Sequence, residues 1–319
     1  MKIVILDSGA LDPGDISWKE MEKLGELIRY DRTPKESVTE RIGDAEIVFT
    51  NKTEITARAV EHCPKLRWIG VFGTGYNVVD TQACKQHGIL VANVPDYSTM
   101  AVAQHTTALL LEIASRVGEH NEAVHRGDWV KSADFSFRCN RLIELYGKTM
   151  GIIGFGHIGK AVATLAQALG MNVVVCTRHP QPEAEKSNLR FVSADELYRL
   201  SDVISLHCPL TPQTAGMIDR ESISKMKDGV ILLNTARGGI LNEKDVREAL
   251  DSGKIYALGA DTVSVEPMSA DNPLLGAKNA VITPHIAWAP KETRQRLMRI
   301  SVSNLESFLR GTPENVVNL

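Results

Sequence analysis

The segment Gly151–Pro180, GIIGFGHIGKAVATLAQALGMNVVVCTRHP, constrains the fold more than any other part of the sequence. Three glycines, Gly154, Gly156 and Gly159, follow a short apolar run, and a helical pattern and a second β-branched run come after them. In such a unit the first glycine permits a tight turn, the second lets a pyrophosphate approach the backbone, and the third lets helix and strand pack closely. The segment therefore predicts a dinucleotide-binding βαβ unit with a helix over Lys160–Leu169.

The same alternation extends along the whole chain. Short aliphatic and β-branched runs alternate with helical patterns, which is typical of parallel sheets with crossover helices. The runs are IVIL, EIVF, RWIGVF, ILVA, MGIIG, NVVVC, DVISLHC, GVILLNT, YALGAD and AVITPH. One long helical pattern extends from near Ser98 towards His125, and the last covers about Lys291 to Leu309. We expect an α/β fold of two doubly wound parallel sheets, one built from the N-terminal third with the final helix.

Charge and composition exclude several classes of partner. A net charge of −3 provides no basic surface for nucleic acid or an anionic membrane. Polar residues such as Gln104 and Gln167 interrupt the longest apolar stretches, so we expect no membrane span. The five cysteines are scattered and form no C-x-x-C pair. This pattern favours reduced thiols in the cytoplasm over a disulfide framework, and it predicts no metal site.

The residues that follow the second strand bear on the choice of dinucleotide. An NAD site usually has a carboxylate there, which accepts hydrogen bonds from the adenosine ribose. In this chain the strand Asn172–Cys176 leads into Thr177, Arg178 and His179. A guanidinium suits a 2′-phosphate by its charge and its fork geometry, so we expect NADP(H) to be favoured. The alternative is that Arg178 is a solvated surface residue and that NAD(H) is also used.

Several chemically active side chains follow other strands. Ligands bind outside the carboxyl ends of the strands in open parallel sheets, so these side chains are expected at the same edge as the glycine loop. Any one of them alone is more often a surface or capping residue. The candidates are His207 and Cys208 after VISL, Thr235, Ala236 and Arg237 after VILLN, Asp261 and Glu266 after YALGA, and His285 after AVITP.

These side chains are the types that the reduction of a 2-keto acid requires, and each has a different expected role. The reaction needs a hydride from a nicotinamide and a proton for the developing alkoxide. His285 is the expected proton donor, because imidazole titrates near neutrality. Glu266 would favour the charged imidazole and orient its ring. Arg237 would polarise the carbonyl and bind the substrate carboxylate, and Asp261 would accept a hydrogen bond from the nicotinamide carboxamide.

These motifs resemble the D-isomer-specific 2-hydroxyacid dehydrogenases. The similarity lies in NTARGG, in DTVSVEP at Asp261–Pro267, in PHIAW, in GFGHIG and in HCPLTPQT, and it covers nearly the whole chain in the family's order. It implies a Rossmann cofactor domain inserted in a flavodoxin-like substrate domain. The implied bounds are 1–99 and 289–319 for the substrate (catalytic) domain and 100–288 for the dinucleotide-binding domain.

The resemblance also implies roles outside the strand ends. Substrate binding would involve Lys52, Thr74 and Gly75 together with Arg237 and His285, and the alternative for Lys52 is a surface residue. Independently of the resemblance, the position of Trp288 close to His285 predicts that it bounds the substrate pocket and favours a short substrate side chain. Cofactor contacts would come from Val102, His157, Ile158, Pro209 and Thr214. A homodimer is implied near Phe137–Leu145. Two features depart from the family: His157 stands where many relatives have Arg, and FRCNRLIEL lacks the aromatic-and-proline pattern of close relatives.

Within the family, TNKT at Thr50–Thr53 and AWAP at Ala287–Pro290 are most similar to glycerate dehydrogenases, also called hydroxypyruvate reductases. The expected reaction is NAD(P)H-dependent reduction of hydroxypyruvate or glyoxylate to D-glycerate or glycolate. Alternatives are another D-2-hydroxyacid dehydrogenase activity, on phosphoglycerate or D-lactate, or a nucleotide-sensing corepressor on the same fold.

Overall fold

The computed structural model describes residues 1–185 and 188–319. The chain divides into two compact units, which consist of 1–98 with 288–319 and of 99–287. Each unit contains one sheet, and every strand pair in both sheets is parallel. The expected α/β fold with two doubly wound parallel sheets is confirmed.

The bounds of the described elements are as follows. The strands are β1 Lys2–Ile5, β2 Glu26–Arg29, β3 Ile47–Thr50, β4 Trp68–Val71, β5 Leu90–Ala92, β6 Thr149–Ile153, β7 Asn172–Cys176, β8 Leu189–Phe191, β9 Val203–Leu206, β10 Val230–Asn234, β11 Ile255–Ala260 and β12 Ala280–Ile282. The α-helices are α1 Lys19–Glu22, α2 Val38–Ile42, α3 Ala57–Glu61, α4 Thr81–Gln86, α5 Thr99–Ser115, α6 Val117–His125, α7 His157–Ala168, α8 Ala194–Leu200, α9 Arg220–Ser224, α10 Glu243–Ser252 and α11 Lys291–Leu309. Single 3₁₀ turns cover Lys35–Ser37, Pro182–Ala184 and Gly238–Ile240.

The first unit has the strand order β2-β1-β3-β4-β5, which is the flavodoxin-like order. Its central strands β3 and β4 are buried throughout, as expected for strands that are covered on both faces. One core cluster joins Ile5, Phe49 and Trp68 to Leu297 and Leu305 of α11, and a second cluster fills the other side of the sheet. The final helix thus packs with the N-terminal sheet.

The second unit has the order β12-β11-β10-β9-β6-β7-β8. Its first strand, β6, lies between β7 and β9, so the strand order reverses there, as it does in a Rossmann sheet. The carboxyl ends of β6, β7 and β9 consequently surround a topological switch point. Helices α5 and α7 cover one face of the sheet, and α8 and α10 contact its strands as well.

Two helix predictions require correction. Helix α7 begins at His157, three residues before the predicted start at Lys160, because Gly156 is its N-cap and Gly159 already lies in its first turn. The long pattern beyond Ser98 forms two helices, since Arg116 adopts a left-handed φ of 51° between α5 and α6. The last helix spans Lys291–Leu309, as predicted.

Three further features bear on the sequence-based expectations. All five cysteines are free. Among the described residues, no cluster of histidine, cysteine or acidic side chains could hold a metal ion. Within the same ranges, no helix combines the length and apolar character that crossing a bilayer requires.

Candidate active site

The glycine loop after β6 has the shape that a dinucleotide requires. Gly154 has a φ of +94°, and a Cβ there would come within 2.6 Å of the His207 carbonyl oxygen. A Cβ at Gly159 would lie 2.2 Å from the Gly154 oxygen, whereas one at Gly156 would meet nothing within 4 Å. No side chain caps the N-terminus of α7, and the N-terminus of a helix favours the binding of an anion. His157 and Ile158 stand in this first turn, so the loop fits a pyrophosphate.

The end of β7 carries a cation and no adjacent carboxylate. Arg178 is exposed and Thr177 half-buried, and the first acidic residue after them is Glu183 in the following 3₁₀ turn. Burial raises the pKa of the Cys208 thiol, and the positive charge of Arg178 lowers it in part.

His207 follows β9 and is a neutral histidine. Its Nε2 lies 2.8 Å from the Ser205 hydroxyl, and burial lowers the pKa of His207 to about 4. Its backbone oxygen faces Gly154, so this residue forms one wall of the glycine loop.

The lowered pKa of His207 predicts a component of acid instability. The unfolded state takes up a proton near the ordinary imidazole pKa of about 6.5, whereas the folded state does so only near pH 4. The free energy of unfolding should therefore fall by about 3 kcal/mol from this residue alone between pH 6.5 and pH 4. In urea titrations, a His207→Gln variant should lose that much less stability over this range. If the free energy of unfolding falls equally in the wild type and in His207→Gln, the lowered pKa of His207 is contradicted.

An imidazole–carboxylate pair is the central feature of the second unit. His285 Nδ1 lies 2.6 Å from Glu266 Oε2, and both side chains are partly exposed. The other carboxylate oxygen, Oε1, accepts a hydrogen bond from the Val263 backbone N–H at 3.3 Å. The interaction at Nδ1 leaves Nε2 as the nitrogen available to a substrate. His285 has a left-handed φ of 55°, which is uncommon for a residue other than glycine.

Asp261 binds residues on both sides of His285. Its carboxylate accepts hydrogen bonds from the Thr283 hydroxyl at 2.6 Å, from Ile286 N–H at 2.8 Å and from Ala287 N–H at 2.9 Å. Burial raises the pKa of Asp261, but hydrogen bonds from His105, Thr283 and these two amides outweigh it and leave the pKa below its usual value. Asp261 is thus an ionised, buried carboxylate that stabilises the left-handed turn.

Arg237 follows β10 in a loop that a buried asparagine holds in place. The side chain of Asn234 accepts a hydrogen bond from Ala236 N–H and donates one to the Arg237 carbonyl oxygen. Thr235 is buried, and its hydroxyl lies 2.7 Å from that of Thr106 in α5. The Arg237 side chain is exposed, and its Nη1 donates to the Ala236 oxygen at 2.7 Å.

The remaining cofactor candidates of the second unit lie on α5 and in the turn after β9. Val102 is buried, and its carbonyl oxygen accepts the hydroxyl hydrogen bond of Thr106. The Thr214 hydroxyl donates to the carbonyl oxygen of Pro209 at 2.6 Å and accepts from Thr211 N–H. The side chain of Thr214 therefore stabilises the turn in which this residue lies.

The substrate candidates Lys52, Thr74, Gly75 and Trp288 all belong to the first unit. A cleft of about 950 Å³ opens at the ends of β1 and β3, and Lys52 contributes to its lining. Asp7 accepts hydrogen bonds from the consecutive N–H groups of residues 51, 52 and 53 at 2.7, 2.6 and 2.6 Å, which fixes the Lys52 loop. The Thr74 hydroxyl donates to Val94 O, and Trp288 packs against the core cluster of this unit.

Sequence reasoning missed several residues that hold these loops. Asp7, Asn234 and His105 are examples, and His105 Nε2 lies 2.8 Å from the Thr283 hydroxyl that contacts Asp261. Asp7 ends the first apolar run, so the strand-end rule that selected Asp261 applies to it equally. No comparable signal marks His105, which lies in the middle of a helix.

A dinucleotide loop at the switch point, with an arginine and an imidazole–carboxylate pair on neighbouring loops, defines a nicotinamide-dependent oxidoreductase. Residues 107–287 match the family model described as "D-isomer specific 2-hydroxyacid dehydrogenase, NAD binding domain". The chain belongs to the D-isomer-specific 2-hydroxyacid dehydrogenase family.

Similarity to individual relatives extends over the full length. The chain is 56% identical to a hydroxypyruvate reductase of Blautia hydrogenotrophica, with all of both chains covered. It is 39% identical to a glycerate dehydrogenase of Methylorubrum extorquens, over 99% of this chain and 98% of that protein. The crystal structure of the TT0316 protein of Thermus thermophilus superposes with a TM-score of 0.88 at 35% identity, covering 99% and 100% of the two chains. The predicted family, fold and enzyme class are confirmed.

Proposed function

We propose that the protein reduces hydroxypyruvate, and glyoxylate as a smaller analogue, to D-glycerate and glycolate. The observation that carries this proposal is the 2.6 Å contact between His285 and Glu266 in the same unit as the dinucleotide loop. The full-length similarity to a hydroxypyruvate reductase supports this choice of substrate among the 2-keto acids.

The chain's own residues account for the proton transfer and the charge stabilisation. A reduced nicotinamide supplies the hydride when it is bound. His285, held at Nδ1 by Glu266, donates a proton from Nε2 to the carbonyl oxygen that becomes the hydroxyl. Arg237 carries a fixed positive charge, stabilises the negative charge that develops on that oxygen, and is our candidate for a bidentate contact with the substrate carboxylate. Asp261 keeps the His285 turn in place and, as predicted from the sequence, is also our candidate acceptor for the carboxamide.

The first unit supplies our candidates for recognition of the acid. We assign the backbone N–H groups near Thr74 and Gly75, with the positive charge of Lys52, to the substrate carboxylate. The network of Asp7 supports this role, because it fixes the backbone conformation of the Lys52 loop before any ligand is bound. We assign Trp288 to limiting the length of the substrate side chain.

NADPH is our proposed preferred cofactor, with NADH as a weaker substitute. The support is Arg178, which is exposed beyond β7 and is followed by no acidic residue before Glu183. A guanidinium pairs with a phosphate through charge-assisted hydrogen bonds, which the ribose hydroxyl of NADH cannot form.

An Arg178→Ala variant should therefore distinguish the two nucleotides. We expect the KM for NADPH to rise by about tenfold or more, since a charge-assisted hydrogen bond contributes about 1.5–3 kcal/mol, while the KM for NADH changes by less than about twofold. Arg199→Ala, a matched change at an exposed arginine of α8, serves as the control. Equal changes for both nucleotides in Arg178→Ala would refute the assignment.

The substrate proposal is tested with a panel of acids and the wild-type protein. Hydroxypyruvate should give the highest kcat/KM, followed by glyoxylate, when NADPH consumption is followed by its absorbance. Pyruvate and 3-phosphohydroxypyruvate represent the lactate and phosphoglycerate alternatives. A higher kcat/KM with either of them, or no turnover with any 2-keto acid, would overturn the proposal. Chiral analysis should show the D-isomer of glycerate only.

We also propose that the protein is a homodimer of the cytoplasm. Between α6 and β6, a segment exposes several large apolar side chains, namely Trp129, Val130, Phe135, Leu142 and Tyr146, with Phe135 92% exposed. Such a patch favours association with another protein surface. Sedimentation equilibrium should give twice the mass of the chain, and Phe135→Asp should shift the protein towards monomer. The five free cysteines suit a reducing compartment.

A further inference from the structure

A buried glutamate binds the loop that carries Glu266. Glu243 is the first residue of α10 and only 8% exposed. Its Oε1 accepts the Ser264 backbone N–H at 2.7 Å, and its Oε2 accepts the Ser264 hydroxyl at 2.6 Å and the Asn272 amide at 2.9 Å. All three donors are neutral, and the N-terminus of α10 favours a negative charge at this place. Glu243 thus forms a double hydrogen bond with a single residue of the loop.

The bound residue lies next to the Glu266 contacts. Ser264 directly follows Val263, whose N–H donates to Glu266 Oε1, and it comes two residues before Glu266 itself. The second oxygen of Glu266 binds His285. The position of the imidazole therefore depends on the backbone of Val263 and Ser264, and Glu243 fixes this backbone.

The same stretch touches the loop of Arg237. A Cβ on Gly238 would lie 1.9 Å from the carbonyl carbon of Val263 and 2.4 Å from the nitrogen of Ser264. The two loops therefore pack backbone against backbone, directly beside Arg237. Glu243 follows the 3₁₀ turn Gly238–Ile240, so it belongs to the Arg237 segment while it holds the Glu266 segment.

We propose that Glu243 and Ser264 are positioning residues of the reaction, which keep the Glu266–His285 pair aligned with Arg237. This inference rests on the proposed function, since it takes His285 as the proton donor. A displacement of about 1 Å at a reacting group lowers rates by as much as about 10²-fold. Loss of the Glu243–Ser264 contact should therefore lower kcat more than it weakens nucleotide binding.

The test compares Glu243→Gln and Ser264→Ala with the control Glu248→Gln, which makes the same change on an exposed residue of α10. We expect kcat for hydroxypyruvate to fall about tenfold in the first two variants, with the KM for NADPH within about twofold of wild type. The pH dependence of their kcat/KM should differ from that of the wild type, because the geometry of the Glu266–His285 pair that handles the proton has changed. Ser264→Ala deletes one hydroxyl and keeps the backbone contact, so it covers the case in which Glu243→Gln does not fold.

A second readout does not depend on turnover. In nitrogen-15 NMR of histidine-labelled protein, the His285 ring resonances should differ from wild type in Glu243→Gln and stay unchanged in Glu248→Gln. Wild-type kcat, pH profile and ring resonances in folded Glu243→Gln and Ser264→Ala would overturn the positioning role. If the wild type turns over no 2-keto acid while the resonances still respond to Glu243→Gln, the proposed function fails and the positioning contact is supported.

Discussion

A His285→Asn variant is expected to reduce hydroxypyruvate at least about 10²-fold more slowly than the wild type, because general acid catalysis contributes about 10²–10⁴-fold to such reactions. Asparagine suits this position better than alanine, since it tolerates the left-handed φ of 55° and leaves the backbone unstrained. The loss is then due to chemistry, with the turn that Asp261 holds left intact. Steady-state kcat and KM with NADPH measure the effect.

The pH profile adds an independent criterion to this experiment. Reduction requires the protonated imidazole, so kcat/KM of the wild type should fall on the alkaline side, and this limb should be absent from His285→Asn. His62→Asn, the same substitution at the exposed C-cap residue of α3, should behave as wild type. A kcat within about threefold of wild type in His285→Asn would mean that another group donates the proton.

The general plan of the fold was predictable because strands buried on both faces leave a strong sequence signal. The runs IVFT of β3 and VILLN of β10 are fully buried and almost wholly apolar, so no other element suits them. Strand β2 is half-exposed at one edge of its sheet, and β8 has only three residues at an edge of the other. Neither strand has an alternation of apolar and polar residues that distinguishes it from a loop, and neither was predicted.

The sequence did not predict the break between α5 and α6, for a different reason. Arg116 has an ordinary helical propensity, and neither of its immediate neighbours is a glycine or a proline. In its left-handed conformation, Arg116 contacts residues that are distant in the sequence. Its guanidinium donates a hydrogen bond to Asn279 at 2.9 Å and lies over the ring of Tyr256. Tertiary contacts of this kind override local propensity.

The residues of the candidate site also differ in whether the sequence identifies them. Arg237, Glu266 and His285 were found because each follows a strand of a parallel sheet, where topology alone brings side chains to one edge. The pairing of Glu266 with His285 was predicted from chemistry and is present at 2.6 Å. Asp7 and Glu243 act on residues at least 21 positions away, through backbone amides that any sequence carries. The strand-end rule marks Asp7 as a candidate but does not identify the amides that it binds, and no sequence pattern pairs Glu243 with Ser264, so these contacts are seen only in the structure.

Replacement of Arg237 by lysine should lower kcat/KM for hydroxypyruvate by about 10²-fold, in spite of the retained charge, because lysine cannot form the two parallel hydrogen bonds of a guanidinium. In Arg237→Ala, kcat/KM should fall by about 10³-fold, which is the upper end of the range for removal of a donor that stabilises a developing oxyanion. The side chain is exposed and donates to the oxygen of its own neighbour, Ala236, so both variants should fold with a Tm close to that of the wild type.

Added guanidine separates a missing charge at the substrate from a general defect. It should restore part of the activity of Arg237→Ala and none of that of His285→Asn, since only the first variant lacks a guanidinium. Arg199→Lys on the surface of α8 controls for the substitution itself and should be indistinguishable from wild type. If Arg237→Lys keeps kcat/KM within about threefold of wild type, a point charge suffices, and the bidentate contact with the acid must be assigned to another group.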